Sequence, residues 1–332
     1  MRNQVTSPGP AIESKIRRLL PVLHRWYRDN RRPLPWRVDP TPYRTAVAEF
    51  MCQQTRVATV IPYYRRWMRI FPGWRALARS STLRILRLWE GLGYYRRARN
   101  LHSLARAVLR LPGRELPDDL ESLRKLPGIG DYTAGAIASI AFKIPSPAFD
   151  ANVARVLGRL TAKGGRSPRL PYLRCLAGKI VPQKDPGLHN QSLMELGALI
   201  CLPRNPLCAS CPLKSRCPSS RRIPGRPKPP PPVPLRETIL LVKWGQKIWV
   251  TREHPRHRWK GLFLLPTVPG KPRTPRLLTI RYPFTRYRIQ ADVHWSNQPP
   301  AGIKGRWMDP GELRRAPLPS PHRKILRLAG RD

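Results

Sequence analysis

Four cysteines, Cys201, Cys208, Cys211 and Cys217, fall within the single stretch CLPRNPLCASCPLKSRC. Four thiolates at one place can hold a tetrahedral zinc ion or a [4Fe–4S] cluster, or pair off as disulfides. Two carboxylates elsewhere could do acid–base work. Glu49, in PYRTAVAEFMCQQTRVATVIPYY, has Ala46, Val47, Ala48, Phe50 and Met51 for neighbours. Burial among them would penalise the charged form and raise the pKa toward that of a general acid, whereas an arginine partner would keep the same group ionised and structural. Asp150, in SPAFDANVARVLGRL, directly precedes an amphipathic run. Its oxygens can cap a helix, place a negative charge beside a reacting centre, or do both. In LPGIGDYTAGAI, Pro127, Gly128 and Gly130 stand ahead of an apolar run. Such a turn can present backbone N–H groups to an anion, or it is an ordinary corner between two helices.

The elements that must hold these residues read as helical up to residue 220. Ile12, Ile16, Leu19, Leu20, Leu23 and Tyr27 share one helical face, as do Val153, Val156, Leu157 and Leu160. The segment RRIPGRPKPPPPVPLRE carries five prolines between Pro229 and Pro234, which argues against helix or central strand and predicts a stiff linker over 221–236. Beyond it, TILLVKWGQKIWV reads as two strands around a turn at Gly245, and LLTIRYPFTRYRIQADVHW adds further β-type residues. The expected order is a helical domain over 11–220, the linker, and a smaller α+β domain over 237–332, with no internal repeat. Lys and Arg number 63 against 19 Asp and Glu, a net charge of +44. That sign suits a polyanion, most commonly nucleic acid, although an arginine-rich, GC-biased composition inflates its size. No stretch approaches the roughly twenty apolar residues of a membrane span, and the N-terminus lacks a signal-peptide core. The expectation is a cytoplasmic protein, nucleoid-associated in a bacterium, without a membrane partner. Disulfides do not persist in that compartment, which leaves a metal for the cysteines.

Taken in order, LPWR (34–37), AEFMCQQT (48–55), GLGYYRRARNLH (91–102), LPGIGDYTAGAI (126–137), FDANVARV (149–156), MELGALIC (194–201) and the cysteine group resemble the helix-hairpin-helix DNA glycosylases. Within them the chain is similar to the MutY-type adenine glycosylases, from residue 12 to 220 and more weakly to the C-terminus. The resemblance implies an all-α helix-hairpin-helix glycosylase domain with a [4Fe–4S] loop over 201–217, followed by a smaller α+β Nudix-like domain. The cysteine spacing matches the family's iron–sulfur loop, in which Arg204, Lys214 and Arg216 would face phosphates. Adenine must leave the stack to be cut, and the family's intercalating residues correspond to Gln54 and Tyr94. Gly128 and Gly130 would approach the DNA backbone.

By the same resemblance, Glu49 is the acid that protonates adenine N7, and ionised Asp150 stabilises or briefly traps the cationic sugar. Tyr132 hydrogen-bonds nearby and Asn152 orients the group. Arg32, Leu34, Trp36, Val57 and Glu195 match positions that shape the adenine pocket. Tyr132 stands where strand-cutting relatives resembling endonuclease III carry the Schiff-base lysine, which implies base removal without efficient strand cleavage. The expected substrate is double-stranded DNA with adenine opposite 8-oxoguanine or guanine, bound by a monomer. A related enzyme for mismatched thymine or damaged pyrimidine is a second reading. A non-catalytic iron–sulfur mismatch-binding protein is a third, which would not need Glu49, Asp150 and Tyr132 together. In the C-terminal part Trp259, Gly261 and Leu262 resemble the family's Trp-x-Gly-Leu segment, and no acidic helix of the nucleotide-hydrolysing type follows. Its lesion-reading loop, usually Phe-Ser-His, is here Phe284, Thr285 and Arg286. Thr285 keeps a hydroxyl, while Arg286 replaces an imidazole with a fixed cation able to fork onto guanine or grip phosphate. Cys52 and Ala151 stand where the family has leucine and glycine.

Overall fold

A computed structural model describes residues 7–220, 230–270, 272 and 274–330. Two compact units result: one holds the described residues up to Arg75 and from Ser103 to Ser220, the other Ala76–His102 together with those from Pro230 onward.

The first unit is helical, with α1 (Pro10–Arg17), α2 (Leu20–Asn30), α3 (Pro42–Cys52) and α4 (Val57–Ile70). Helices α5 (Trp74–Arg79) and α7 (Arg96–Val108) run across the division and flank α6 (Thr82–Leu88). Then follow α8 (Leu120–Lys125), α9 (Asp131–Ile140), α10 (Ala151–Leu160), α11 (Leu170–Ile180) and α12 (Pro186–Leu199). Proline occupies the first turn of α1, α2, α3, α11 and α12, where its missing N–H costs nothing. The apolar face expected over residues 12–27 is real, but Pro21 divides it between α1 and α2 because its ring nitrogen has no proton for a continuing ladder. Helix α12 packs on α2, α9 and α10, while α3 packs on α4 and α9. Ile16, Leu23, Val156, Leu157, Leu176 and Leu196 are almost fully buried between them, each contributing roughly 1.5–3 kcal/mol relative to exposure.

The second unit is a mixed sheet of β1 (Val233–Trp244), β2 (Lys247–Thr251), β3 (Thr267–Val268), β4 (Arg276–Phe284), β5 (Tyr287–Ser296) and β6 (Gly305–Met308), with α13 (Pro310–Arg315) and α14 (Ser320–Ala329). The order is β4-β5-β1-β2-β6, with β3 also on β1; β1 and β5 run parallel and the other pairs antiparallel. Its core includes Ile239, Val250, Leu265, Ile289, Val293 and Ile325. The segment 76–102 is tied into this unit at Glu90, which accepts from Arg323 Nε at 2.8 Å and from Arg87 Nη1 at 3.0 Å.

The linker expected over 221–236 needs correction at its end. Residues 221–229 lie outside the described residues, but Val233–Arg236 already belong to β1, a strand in the middle of the sheet. Pro234 is tolerated because β1 is paired there only with β5, while its pairs with β3 and β2 begin at Thr238 and Lys243. At that point the strand has a free side for a residue without an N–H.

Candidate active site

Thr45, Ala48, Glu49 and Cys52 follow one another at helical spacing, so α3 turns one face toward a cavity of about 230 Å³. Trp36, Val57, Tyr132, Asp150, Asn152 and Met194 line it from other segments. At this size it is smaller than the ~300–1,000 Å³ of a drug-sized site and suits a single flat ring system. Glu49 is half-buried by surface, yet what it exposes borders the cavity and protein surrounds the carboxyl. Burial pushes it up to about 7; hydrogen bonding to Tyr132 and the charge of Arg37 pull it down, and the charge of Asp150 pushes it up. The Tyr132 hydroxyl donates to Met194 Sδ at 3.3 Å, and burial holds its own pKa well above the ordinary value.

Asp150 caps α10: Oδ1 accepts from Val153 N–H and Oδ2 from Asn152 Nδ2, both at 2.7 Å. Burial raises its pKa, while these two donors counter by stabilising the anion. Burial thus shifts both carboxyls toward their protonated forms, Glu49 to about 7 and Asp150 against the two donors that stabilise its charge. Asn152 is fixed in turn by Arg155, whose Nη2 donates to its Oδ1 at 2.8 Å. Arg155 also donates to Gly197 O and Cys201 O, each at 2.7 Å. Helices α10 and α12 approach so closely that a Cβ on Gly197 would lie 2.6 Å from that of Asn152, which makes glycine obligatory there.

Glu195, expected as a pocket residue, is 1% exposed and holds the wall together. Arg32 grips it through Nε at 2.9 Å and Nη2 at 2.7 Å, and Arg37 through Nη1 at 3.1 Å and Nη2 at 2.8 Å. Burial alone would raise this carboxyl, but the two guanidiniums outweigh it and hold it at about 2. Leu34 is buried beside them and Trp36 meets Tyr64 edge-on at 5.2 Å. Arg37, Thr45, Gln191 and Arg155 were not among the expected site residues. Arg37 lies within the quoted LPWR and Thr45 sits one turn before Glu49, so helical spacing could have flagged the latter.

Cys201, Cys208, Cys211 and Cys217 are free and partly buried in a loop clamped by α10. Arg159 Nη1 donates to Cys201 Sγ at 3.2 Å and to Leu202 O at 2.8 Å. Burial pushes the Cys211 thiol up to about 11, with Cys201, Cys217 and Cys208 adding to the effect. The four thiols are thus near enough to sense one another. Among the described residues, however, no three His, Cys, Asp or Glu side chains converge tightly enough for one ion. Four thiols in one neighbourhood are a donor set that suits a tetrahedral zinc ion and an iron–sulfur cluster alike.

The other expected residues lie outside the cavity, on the surface. In the first unit Gln54 is exposed at φ 55° in the turn between α3 and α4. Gly128, at φ 78°, makes the turn between α8 and α9 possible, while Gly130 has an extended backbone and open space where a side chain would go. In the second unit Tyr94 is 49% exposed at φ 47°, and Arg97 braces its loop by donating to Leu92 O and Gly93 O, both at 3.1 Å. Thr285 and Arg286 form the exposed two-residue tip between β4 and β5, with Thr285 at φ 50°. Trp259 supports that hairpin, its ring 5.5 Å from Phe284.

Residues 47–173 match the model of the HhH-GPD superfamily base excision DNA repair protein. The chain is 44% identical over 222 residues to an adenine DNA glycosylase of Mus musculus, across 61% of this chain and 43% of that protein, so it spans less than half the length of that relative. It is 35% identical over 262 residues to an adenine DNA glycosylase of Buchnera aphidicola subsp. Schizaphis graminum, across 75% of this chain and 74% of that protein. The solved structure of a thermostable thymine-DNA glycosylase superposes with a TM-score of 0.57 at 26% identity, over 63% of this chain and 98% of that one.

Proposed function

The chain belongs to the adenine DNA glycosylase family, and from that premise we propose that it hydrolyses the bond between adenine and deoxyribose where adenine lies opposite 8-oxoguanine or guanine in duplex DNA. The observation that carries this reading is the pair of carboxyls in one base-sized cavity, Glu49 raised to about 7 and Asp150 hydrogen-bonded by Val153 and Asn152. Glu49 gives its proton to N7 of the extruded adenine. The C1′–N9 bond then breaks with its electron pair going to the base, and the departing adenine is neutral. Asp150 faces the positive charge left on the sugar, until water adds at C1′ and releases a proton.

Tyr132 offers no amine for a Schiff base, so the product is an abasic site with the strand intact. Gln54 and Tyr94 are the proposed wedges; their exposed, left-handed backbone is costly to maintain and suits side chains that must project. Gly128 and Gly130 present the α8–α9 turn to phosphate. Cys201, Cys208, Cys211 and Cys217 would hold a [4Fe–4S] cluster, whose contribution is to fold the loop carrying Arg204, Lys214 and Arg216. The sheet unit is read as a Nudix-like recognition module with Thr285 and Arg286 at the lesion-facing tip. The protein is proposed to act as a monomer in the cytoplasm, on the nucleoid of a bacterium.

The test is a panel of duplexes carrying adenine opposite 8-oxoguanine, guanine, cytosine or thymine, scored before and after alkali. Cuts at adenine opposite the first two, visible only after alkali, are expected; cuts without alkali would overturn the strand-intact product. A thymine-removing enzyme is the second reading, favoured by the superposition on the thymine-DNA glycosylase. A duplex with thymine opposite guanine in the same panel separates the two.

A further inference from the structure

Thr45 stands one turn before Glu49 on the cavity-lining face of α3. It is 3% exposed, and among the described residues its hydroxyl has no hydrogen-bond partner. The backbone around it is ordinary, with Thr45 N–H donating to Thr41 O at 2.9 Å. Helical threonines can return the hydroxyl to a carbonyl one turn back, and this one does not. A buried, unpaired hydroxyl is a net cost to folding that valine, of nearly the same shape, would avoid. Polar groups left unsatisfied in a cavity wall are commonly those that a ligand completes.

The neighbouring polar groups narrow what that ligand presents. Arg32 and Arg37 are committed to Glu195, and the Gln191 Oε1 is taken by the Tyr27 hydroxyl at 3.0 Å. Glu49, protonated, is a donor and needs a ring nitrogen. Thr45 and Glu49 are related as i and i+4, so their Cβ atoms are about 5–6 Å apart and can meet adjacent atoms on one edge of one base. Next to N7 on that edge of adenine is the exocyclic amine, a donor that matches the lone pairs of a hydroxyl.

We propose that Thr45 is a specificity-determining residue whose hydroxyl accepts a hydrogen bond from the exocyclic amine of the extruded base. The inference rests on the adenine reading of the same cavity and deepens it. Its test is single-turnover excision of adenine and of unsubstituted purine, which lacks the amine, each opposite 8-oxoguanine, by wild type, Thr45→Val and Thr45→Ser, with melting temperatures of all three. Thr45→Val is expected to lower the adenine-to-purine rate ratio about tenfold, with a melting temperature equal to or above wild type, and Thr45→Ser to keep the wild-type ratio. An unchanged ratio in Thr45→Val, or a lowered melting temperature showing that the hydroxyl serves the fold, overturns the inference while wild type still excises adenine. Wild type that removes thymine and not adenine overturns the adenine reading itself, and the inference with it.

Discussion

Glu49 keeps its proton near neutrality because burial outweighs the help that Tyr132 and Arg37 give to its charge. Its folded pKa of about 7 stands above the ordinary 4.5, so the acid form is present below about 7 and is lost as pH rises through it. Single-turnover excision should therefore fall on the alkaline side, by about tenfold per pH unit well above the midpoint. Glu49→Gln removes the transferable proton and should lower excision by at least ~100-fold while duplex binding persists. Tyr132→Phe removes a hydrogen bond that lowers the Glu49 pKa, so the limb should move to higher pH; movement to lower pH would mean that the phenol favours the acid form. The apolar neighbours of Glu49 were legible in the sequence. The opposing reading, a carboxylate held ionised by arginine, describes Glu195 instead, because which carboxyl Arg32 and Arg37 reach depends on how α12 packs.

Helix α10 ties Asp150 and the cysteine loop together along one short element. Its buried face was readable from Val153, Val156, Leu157 and Leu160, and so was the capping role of Asp150. Nothing local marks Arg155 or Arg159, because the loop that returns to cover them lies more than forty residues later. In the fold Arg155 runs from Asn152, the partner of Asp150, to the carbonyl of Cys201, and Arg159 holds the sulfur of the same cysteine. Arg155→Ala should therefore do two things: lower excision by roughly 10- to 100-fold through a loosened Asp150, and lower iron retained per protein on purification. Asn152→Ala breaks only the Asp150 side, so it should lower excision by a similar factor with iron content preserved. Equal iron content in both variants would show that the loop does not depend on Arg155. The Pro234 strand was hidden for a related reason: proline excludes a central strand only where both sides are paired.

At the scale of the molecule, composition announced a polyanion-binding surface and two domains, but not that residues 76–102 would group with the C-terminal strands. That grouping depends on contacts such as Glu90 with Arg323, which no local pattern foretells. Nor did the sequence show that several histidines would be buried and neutral in both units. In the first, burial lowers His189 to about 3, with the charges of His24 and Arg17 adding. In the second, burial lowers His322 to about 3 and His254 to about 4, and His322 Nδ1 accepts from Leu265 N–H at 2.9 Å, which requires an unprotonated nitrogen. All three lie below the ordinary 6.5, so between these values the unfolded chain binds more protons and stability rises with pH. Their contribution is complete above about 6.5 and fades as pH falls toward 4 and then 3. Glu49, raised to about 7, works in the opposite direction between 4.5 and 7, and Asp150, also raised by burial, works with it against the three imidazoles. Thermal unfolding at pH 5.0 should thus have a midpoint several degrees below that at pH 7.5, at ~2–4 °C per kcal/mol for domains of this size. His322→Gln keeps an acceptor for the Leu265 N–H without a titrating group, and should flatten the pH dependence of the second unit's transition. A midpoint independent of pH in wild type would show that these imidazoles are not held neutral in the fold.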